Sequence, residues 1–170
     1  MYSEEKPDYL CWGVLSKCQD GMHIIMVDFD HLKDRLELAQ VVQKMQHDKR
    51  HGDYFLVGGK KPGHYHIYCP TKVTRKEYVA ALRTFEKIGA DKNLKIPLFK
   101  WKRKATVLRF AGKDELNLEH TFPSSHHNER QMSFAHLLYL QRVFHIPQLR
   151  YRNHDNLTGL RIDRYLTSKP

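Results

Sequence analysis

The chain has 170 residues with 41% hydrophobic content, enough for one globular domain with a full core, and a formal net charge of +10 with a pI near 9.5. No apolar run approaches the ~20 residues of a membrane helix, residues 1–8 hold no hydrophobic signal region, and three cysteines cannot build a disulfide framework. We therefore expect a single-domain cytoplasmic protein without a membrane partner, whose basic surface is typical of nucleic-acid-binding proteins.

The first half of the chain predicts two β-hairpins separated by a helix. Turn residues join the strands of each hairpin, and the second turn is rich in glycine and lysine. The intervening helix is indicated by apolar residues at spacings of three and four. The predicted strands are residues 10–18, 22–30, 54–57 and 64–69, and the predicted helix is 31–48.

The second half predicts two more helices and one strand. A capping-box pattern of Thr74 and Glu77 begins a helix that ends at Gly89. A strand at 105–111, a polar loop at 117–131 and a helix from Ser133 to Pro147 follow.

This order of elements predicts an α+β fold. We expect an antiparallel-rich sheet with helices on one face, containing a unit like the RNA-recognition motif. Residues 1–170 form one predicted domain, with a core at about 10–115 and a C-terminal helical accessory at about 116–170.

Two aspartates follow an apolar run on the second predicted strand. Residues 24–27 are Ile-Ile-Met-Val, and Asp28 and Asp30 share one face because strand side chains alternate. Two neighbouring carboxylates repel each other unless a cation lies between them, and hard cations such as Mg²⁺ or Mn²⁺ take carboxylate oxygens. The structural alternative is that Asp28 ends the strand and Asp30 caps the next helix.

Two histidines, His64 and His66, share a face of the fourth predicted strand. If this strand lies beside the one that carries the aspartates, two carboxylates and two imidazoles converge on one surface. The histidines could bind phosphate or a metal, and the neighbouring glycines with Lys60 and Lys61 favour phosphate. The alternative is a pair of exposed histidines on an edge strand.

A basic strand and a basic, aromatic stretch complete the candidate residues. Arg109 interrupts the apolar strand at 105–111, where its guanidinium could bind a triphosphate bidentately or form a salt bridge at the sheet edge. Just upstream, cationic side chains surround an aromatic ring, which is typical of contact with nucleic acid. These predicted nucleic-acid-binding residues are Lys100, Trp101, Lys102, Arg103 and Lys104.

Three motifs in this order resemble those of the archaeo-eukaryotic primase superfamily, which includes the primase-polymerases. Residues 27–30 (Val-Asp-Phe-Asp) are similar to its strand with two aspartates, and 63–66 (Gly-His-Tyr-His) to its small-x-His strand. Residues 108–110 (Leu-Arg-Phe), with Lys113, look like the basic strand near its third motif. The resemblance covers roughly residues 20–115.

The resemblance implies a metal-dependent nucleotidyltransferase that initiates or extends strands from nucleoside triphosphates on a DNA or RNA template. Asp28 and Asp30 would hold the catalytic Mg²⁺ or Mn²⁺, and a separate helicase or replication protein would be a partner in a nucleoid-associated or mobile-element context. The residues implied or predicted to bind the nucleotide are His66, His64, Arg109, Lys113, Lys60 and Lys61.

The third motif of that superfamily often carries an acid, and this chain has none just upstream of Arg109. Residues 96–104 are Ile-Pro-Leu-Phe-Lys-Trp-Lys-Arg-Lys, so the third metal ligand is unplaced. Asp91 and Asp114 are candidates by proximity alone. Loss of this acid would leave nucleotide or template binding without polymerisation.

Two other functions compete with this one. Residues 64–66 also resemble the His-hydrophobic-His motif of rolling-circle replication initiators and relaxases, in which two histidines hold a metal and a tyrosine attacks a DNA phosphate. Tyr139, on the third predicted helix, is the candidate nucleophile. The other possibility is a non-catalytic module that binds nucleic acid by charge and by stacking bases on Phe99, Trp101 and Tyr65.

Overall fold

The computed structural model describes residues 12–92, 107–111, 116–127 and 129–144, which form an α+β fold. No helix within these ranges is long and apolar enough to cross a membrane. The described elements are β1 (Trp12–Leu15), β2 (His23–Phe29), α1 (Arg35–Lys49), β3 (Tyr54–Gly58), β4 (Tyr65–Val73), α2 (Arg75–Glu86), β5 (Val107–Ala111), β6 (Asn117–Phe122) and α3 (Phe134–Phe144).

Four of the strands form an open antiparallel sheet in the order β2-β4-β3-β6. The chain leaves β2, passes through α1, and returns as β3, which runs parallel to β2 with β4 between them. The hairpin of β3 and β4 is confirmed, and its register places His66 opposite Val57 on one side and opposite Asp28 on the other. The strands that carry the two sequence motifs are therefore neighbours.

Each face of this sheet carries its own apolar cluster, because side chains alternate along the strands. Ile25, Val27 and Phe29 of β2 pack against α1 and α2, whereas Ile24 and Met26 pack with buried residues of α3. The prediction that the helices lie on one face of the sheet is therefore wrong for α3.

Local capping explains where the first two helices begin. The Asp34 side chain accepts hydrogen bonds from the backbone N–H groups of Leu36 and Glu37, at 2.7 and 3.3 Å, so α1 begins at Arg35. The predicted capping box of Thr74 and Glu77 is present at the start of α2. Because Asp34 is the cap of α1, the structural alternative for Asp30 is excluded.

Two strand pairings differ from the sequence-based expectation. β1 pairs with β5 in a separate two-stranded sheet, and the predicted hairpin of β1 and β2 is reduced to contacts such as the hydrogen bond from Ile24 N–H to Ser16 C=O at 2.8 Å. Residues 117–122, predicted as a loop, form edge strand β6 beside β3. The segment predicted as a helical accessory thus supplies a strand of the sheet and, through Leu137, Leu140 and Phe144 of α3, part of the second apolar cluster.

Candidate functional site

The structure brings the two aspartates and the two histidines together on one face of the sheet. Asp28 is directly opposite His66 in the β2–β4 register, and the distance from Asp28 Oδ1 to His66 Nε2 is 3.4 Å. Just beyond the end of β2, Asp30 Oδ1 lies 3.5 Å from His64 Nδ1. The predicted convergence of two carboxylates and two imidazoles on one surface is therefore confirmed.

Asp28, Asp30, His64 and His66 form a polar row that continues an apolar face of the sheet. Met26 precedes Asp28 and Tyr68 follows His66 on the same sides of their strands, and both belong to the cluster under α3. Beyond them the face turns polar and increasingly open. The side chains of His66 and Asp28 are 14% and 27% exposed, and those of His64 and Asp30 are 28% and 56% exposed. The site thus has an inner pair beside the core and an outer pair at the surface.

The inner histidine is uncharged at neutral pH. Burial lowers the pKa of His66 to about 4, and the favourable field of Asp30 only partly opposes this effect. The Tyr68 hydroxyl lies 3.1 Å from His66 Nδ1 and holds the ring in place. The contact between His66 and Asp28 therefore joins a carboxylate to a neutral imidazole, and the negative charge of Asp28 is not cancelled by an imidazolium.

The outer pair is tied to the tip of the β3–β4 hairpin. Leu32 N–H donates to Gly63 C=O at 2.9 Å, and Gly63 has a φ of 84°, which favours glycine. The His31 and His64 rings meet edge to face with centroids 5.8 Å apart. His64 Nε2 is buried and has no hydrogen-bond partner among the described residues. The turn that carries the exposed Lys60 and Lys61 is thus anchored beside the outer pair.

Asp91, one of the two candidates for a third acid, lies beside the site through its backbone. Its N–H donates to Asp28 C=O at 2.7 Å, so the chain that follows α2 contacts β2 at Asp28. Within the described ranges, however, no group of three or more His, Cys, Asp or Glu side chains is arranged to hold a metal ion. The other candidate, Asp114, lies outside the described residues.

The remaining predicted residues are not brought to this face by what the structure describes. Arg109 belongs to β5, where its backbone is paired with Gly13 of β1, and its side chain lies outside the description. Tyr139 lies within α3, and the same holds for its side chain. The predicted residues outside the described ranges altogether are Phe99, Lys100, Trp101, Lys102, Arg103, Lys104 and Lys113.

Two tyrosines of β4 differ from what the sequence suggested. Tyr65 packs against the cluster under α1 and α2, its hydroxyl accepts a hydrogen bond from Arg35 Nη2 at 2.6 Å, and the guanidinium lies 4.8 Å from the ring centroid. The Tyr65 side chain therefore lies on the face of the sheet opposite the site. Tyr68, which sequence reasoning missed, supports His66. Its position two residues after His66 on a strand was the available signal.

The donor atoms of each pair are spaced as ligands of one cation. Two ligands at ~2.1 Å from a divalent metal ion are roughly 3.0–3.4 Å apart in octahedral or tetrahedral geometry. The observed separations of 3.4 and 3.5 Å are close to the upper value. Carboxylates suit a hard cation that also binds phosphate oxygens, and an imidazole nitrogen beside each carboxylate can ligate the cation or donate to its phosphate. No protein-family model matches this chain, and no curated protein or solved structure matches it.

Proposed function

We propose that this protein is a metal-dependent nucleotidyltransferase of the primase-polymerase type, which joins nucleotides on a nucleic-acid template. The observation that carries this proposal is the register pair of Asp28 and His66 on neighbouring strands, continued outward by Asp30 and His64. A carboxylate pair that can hold a divalent cation, beside an uncharged imidazole, supports metal-assisted phosphoryl transfer at this site.

The topology supports an RNA-recognition-motif-like unit. The succession β2-α1-β3-β4-α2, with β4 between β2 and β3, corresponds to the first five elements of a ferredoxin-like βαββαβ unit. The described fourth strand, β6, joins beside β3. We infer that the unit carries its site on the α3 side of the sheet, beyond the apolar cluster, and differs from the ferredoxin-like unit in the position of its fourth described strand.

The two aspartates suit Mg²⁺ or Mn²⁺, because these ions do not need a complete set of protein ligands. Mg²⁺ is usually held by one or two carboxylates together with waters and substrate phosphates, so a third protein ligand is not required for binding. Asp28 and Asp30 would hold the ion. When bound, it would neutralise charge on the reacting phosphate and lower the pKa of the attacking hydroxyl.

The chain's own groups would position the triphosphate. In the proposed reaction, the primer 3′-oxygen forms a bond to the α-phosphorus of the triphosphate. The bond from the α-phosphorus to the bridging oxygen breaks and releases pyrophosphate, while the hydroxyl proton passes to water. As a neutral ring, His66 has one N–H donor that it can offer to a phosphate oxygen. Lys60 and Lys61, exposed on the anchored turn, add positive charge for the outer phosphates. Positioning and electrostatics carry most of such a reaction.

Template-dependent incorporation tests this proposal. The full chain is incubated with primed or unprimed DNA and RNA templates, labelled dNTPs or NTPs, and Mn²⁺ or Mg²⁺. We expect a labelled strand that requires the template and the metal ion. The absence of incorporation under every combination would contradict the proposal.

A second candidate function is a rolling-circle nicking enzyme. What favours it is that His64 and His66 share a face and that α3, which carries Tyr139, packs on this same side of the sheet. This function leaves the carboxylate pair less explained. It predicts a covalent protein–DNA adduct that is lost in Tyr139→Phe, which the primase reaction does not form.

The proposed nucleotidyl transfer also indicates the partners and the location of this protein. The net charge of +10 suits a DNA or RNA template, with nucleoside triphosphates as substrates. Such a protein would act in the cytoplasm, at the nucleoid or on a mobile element, beside a separate helicase or replication protein. If the chain binds nucleic acid in a salt-sensitive way but forms neither product nor adduct, a non-catalytic binding module is the better description.

A further inference from the structure

A groove lies between α1 and α2, on the side of these helices away from the polar row. Its volume is about 450 Å³, within the range of roughly 300–1,000 Å³ that is typical of ligand sites. The lining is mainly apolar at the floor and charged at the rim. It consists of Val41, Lys44, Met45, Asp48, Lys49, His51, Lys76, Glu77, Ala80, Ala81 and Thr84.

The rim of this groove is positive. Lys44, Lys49 and Lys76 contribute three cationic side chains against two carboxylates. One of these carboxylates, Glu77, is already held by Arg130 through two hydrogen bonds of 3.0 and 3.1 Å. Burial alone would raise the pKa of Glu77, but its bonds with Arg130 and with the helix cap lower it to about 2. A ligand at the rim therefore meets an excess of positive charge.

A buried histidine adds a polar group to the apolar lining. His51 is only 2% exposed, and its Nδ1 lies 2.7 Å from the Tyr54 hydroxyl. Its Nε2 has no hydrogen-bond partner among the described residues. Burial lowers the pKa of His51 to about 4, so the ring is neutral and one nitrogen carries the proton.

The contacts of His51 fix the floor of the groove. The Tyr54 hydroxyl lies 2.7 Å from His51 Nδ1 and 3.9 Å from the Met45 sulfur, so it joins two lining residues to β3. Because His51 Nε2 is buried, the ring supports the floor and leaves the ligand contacts to the apolar lining and the rim.

We propose that the α1–α2 groove binds a short acidic peptide segment of a partner protein that carries an apolar anchor. The anchor would lie on Val41, Met45 and Ala81, and acidic side chains would meet the lysines. Apolar side chains of a bound segment commonly anchor it in a hydrophobic groove in this way. The groove faces away from Asp28 and His66, so this inference does not depend on the proposed nucleotidyl transfer.

The test uses the full chain and a fluorescein-labelled probe peptide of sequence Asp-Asp-Glu-Leu-Phe, followed by fluorescence anisotropy at physiological salt. Two control peptides replace either the acids by lysines or the Leu-Phe pair by Ala-Ala. The double variant Lys44→Glu/Lys76→Glu reverses two of the positive charges at the rim of the groove. The matched variant Arg83→Glu/Lys87→Glu makes the same change in net charge at exposed positions outside the groove.

We expect saturable binding of the acidic probe, weakened at least about tenfold (1.4 kcal/mol) by the rim variant and less than about twofold by the matched variant. Equal weakening by both double variants, or equal binding of the Ala-Ala peptide, would show non-specific attraction and overturn the proposal. No saturation by the probe at 1 mM, on the order of the weakest specific affinities, would overturn it as well.

Discussion

Asp28 and His66 face each other across two neighbouring strands, 3.4 Å apart, and burial holds His66 neutral. This combination differs from an ion pair, because an imidazolium would cancel the carboxylate charge and compete with a metal ion for it. A neutral ring leaves the carboxylate able to attract a cation while it still offers a hydrogen bond. The pair is therefore suited to binding a cation and a phosphate together.

Asp28→Asn tests the contribution of the carboxylate to metal binding. The amide keeps the shape but loses the charge, so we expect Mn²⁺ affinity in the presence of a nucleoside triphosphate to fall by about tenfold or more (1.4 kcal/mol per decade). Titration of Mn²⁺ followed by electron paramagnetic resonance measures the free ion. Glu37→Gln, at an exposed position in the first turn of α1, is the matched control and should bind Mn²⁺ normally. Unchanged affinity in Asp28→Asn would argue against a metal at this site.

Tyr68→Phe tests the support of the inner histidine. The change removes the hydroxyl that lies 3.1 Å from His66 Nδ1, and we expect a loss of about 1 kcal/mol in the free energy of unfolding. As a positioning residue, Tyr68 should also set the tautomer of His66. The ¹⁵N chemical shifts of the His66 ring should therefore change in the variant. Identical ring shifts would mean that the hydroxyl plays no part in orienting this histidine.

Acid should destabilise the fold through its buried histidines. The pKa values of His66 and His51 fall from the ordinary 6.5 to about 4 because of burial, so between these pH values the unfolded chain binds protons that the folded chain does not. Stability is therefore complete above pH 6.5 and declines towards pH 4, by on the order of 3 kcal/mol for each group. Burial also lowers the pKa values of His23 and His136, which act in the same direction.

Urea unfolding at pH 7.0, 6.0 and 5.0 measures this decline. His66→Gln removes one titrating group, so its stability should depend less steeply on pH than that of the unchanged chain. The pKa of Glu77 is lowered from 4.5 to about 2 in the folded chain, so its contribution to stability is lost mainly below pH 5, outside this range. A stability that is constant from pH 7 to pH 5 would show that the two rings are not held neutral by the fold.

Gly58→Ala should destabilise the sheet by overpacking. A Cβ atom at this position would lie 2.8 Å from Glu119 Cγ and 2.8 Å from the nearest ring carbon of Tyr65. The Tyr65 ring is packed against the core and capped by Arg35, so it cannot easily move away. We expect a loss of roughly 1–3 kcal/mol, measured by denaturant unfolding. A variant as stable as the unchanged chain would mean that the neighbours of Gly58 at the end of β3 move aside without cost.

The local parts of the fold could be predicted from the sequence. The β3–β4 hairpin, the Thr74 cap and the shared face of Asp28 and Asp30 follow from turn residues, capping and strand alternation, which involve neighbours in the chain. The pairing of β1 with β5 joins residues almost a hundred positions apart, and nothing local specifies it. Strand β6 was missed because an exposed edge strand such as Asn117–Phe122 needs few apolar residues.

The candidate site shows the same division. Strand alternation predicted that Asp28 and Asp30 share a face and that His64 and His66 share a face. The side-by-side arrangement of β2 and β4, however, depends on the long crossover through α1. The neutrality of His66 could not be predicted, because it depends on burial beside Tyr68 and the cluster under α3. Alternation also turns Tyr65 to the face opposite His64 and His66, but its contact with Arg35 of α1 could not be predicted because it joins separate elements.

Primer extension by the full chain and by Asp28→Asn, side by side with Glu37→Gln, tests the central claim most directly. With Mn²⁺, a primed template and labelled nucleotides, the account predicts extension by the unchanged chain and by Glu37→Gln. It also predicts a loss of at least about a hundredfold (2.7 kcal/mol) in Asp28→Asn. Extension that persists in Asp28→Asn, or no extension by the unchanged chain, would contradict the assignment of this sheet face to nucleotidyl transfer.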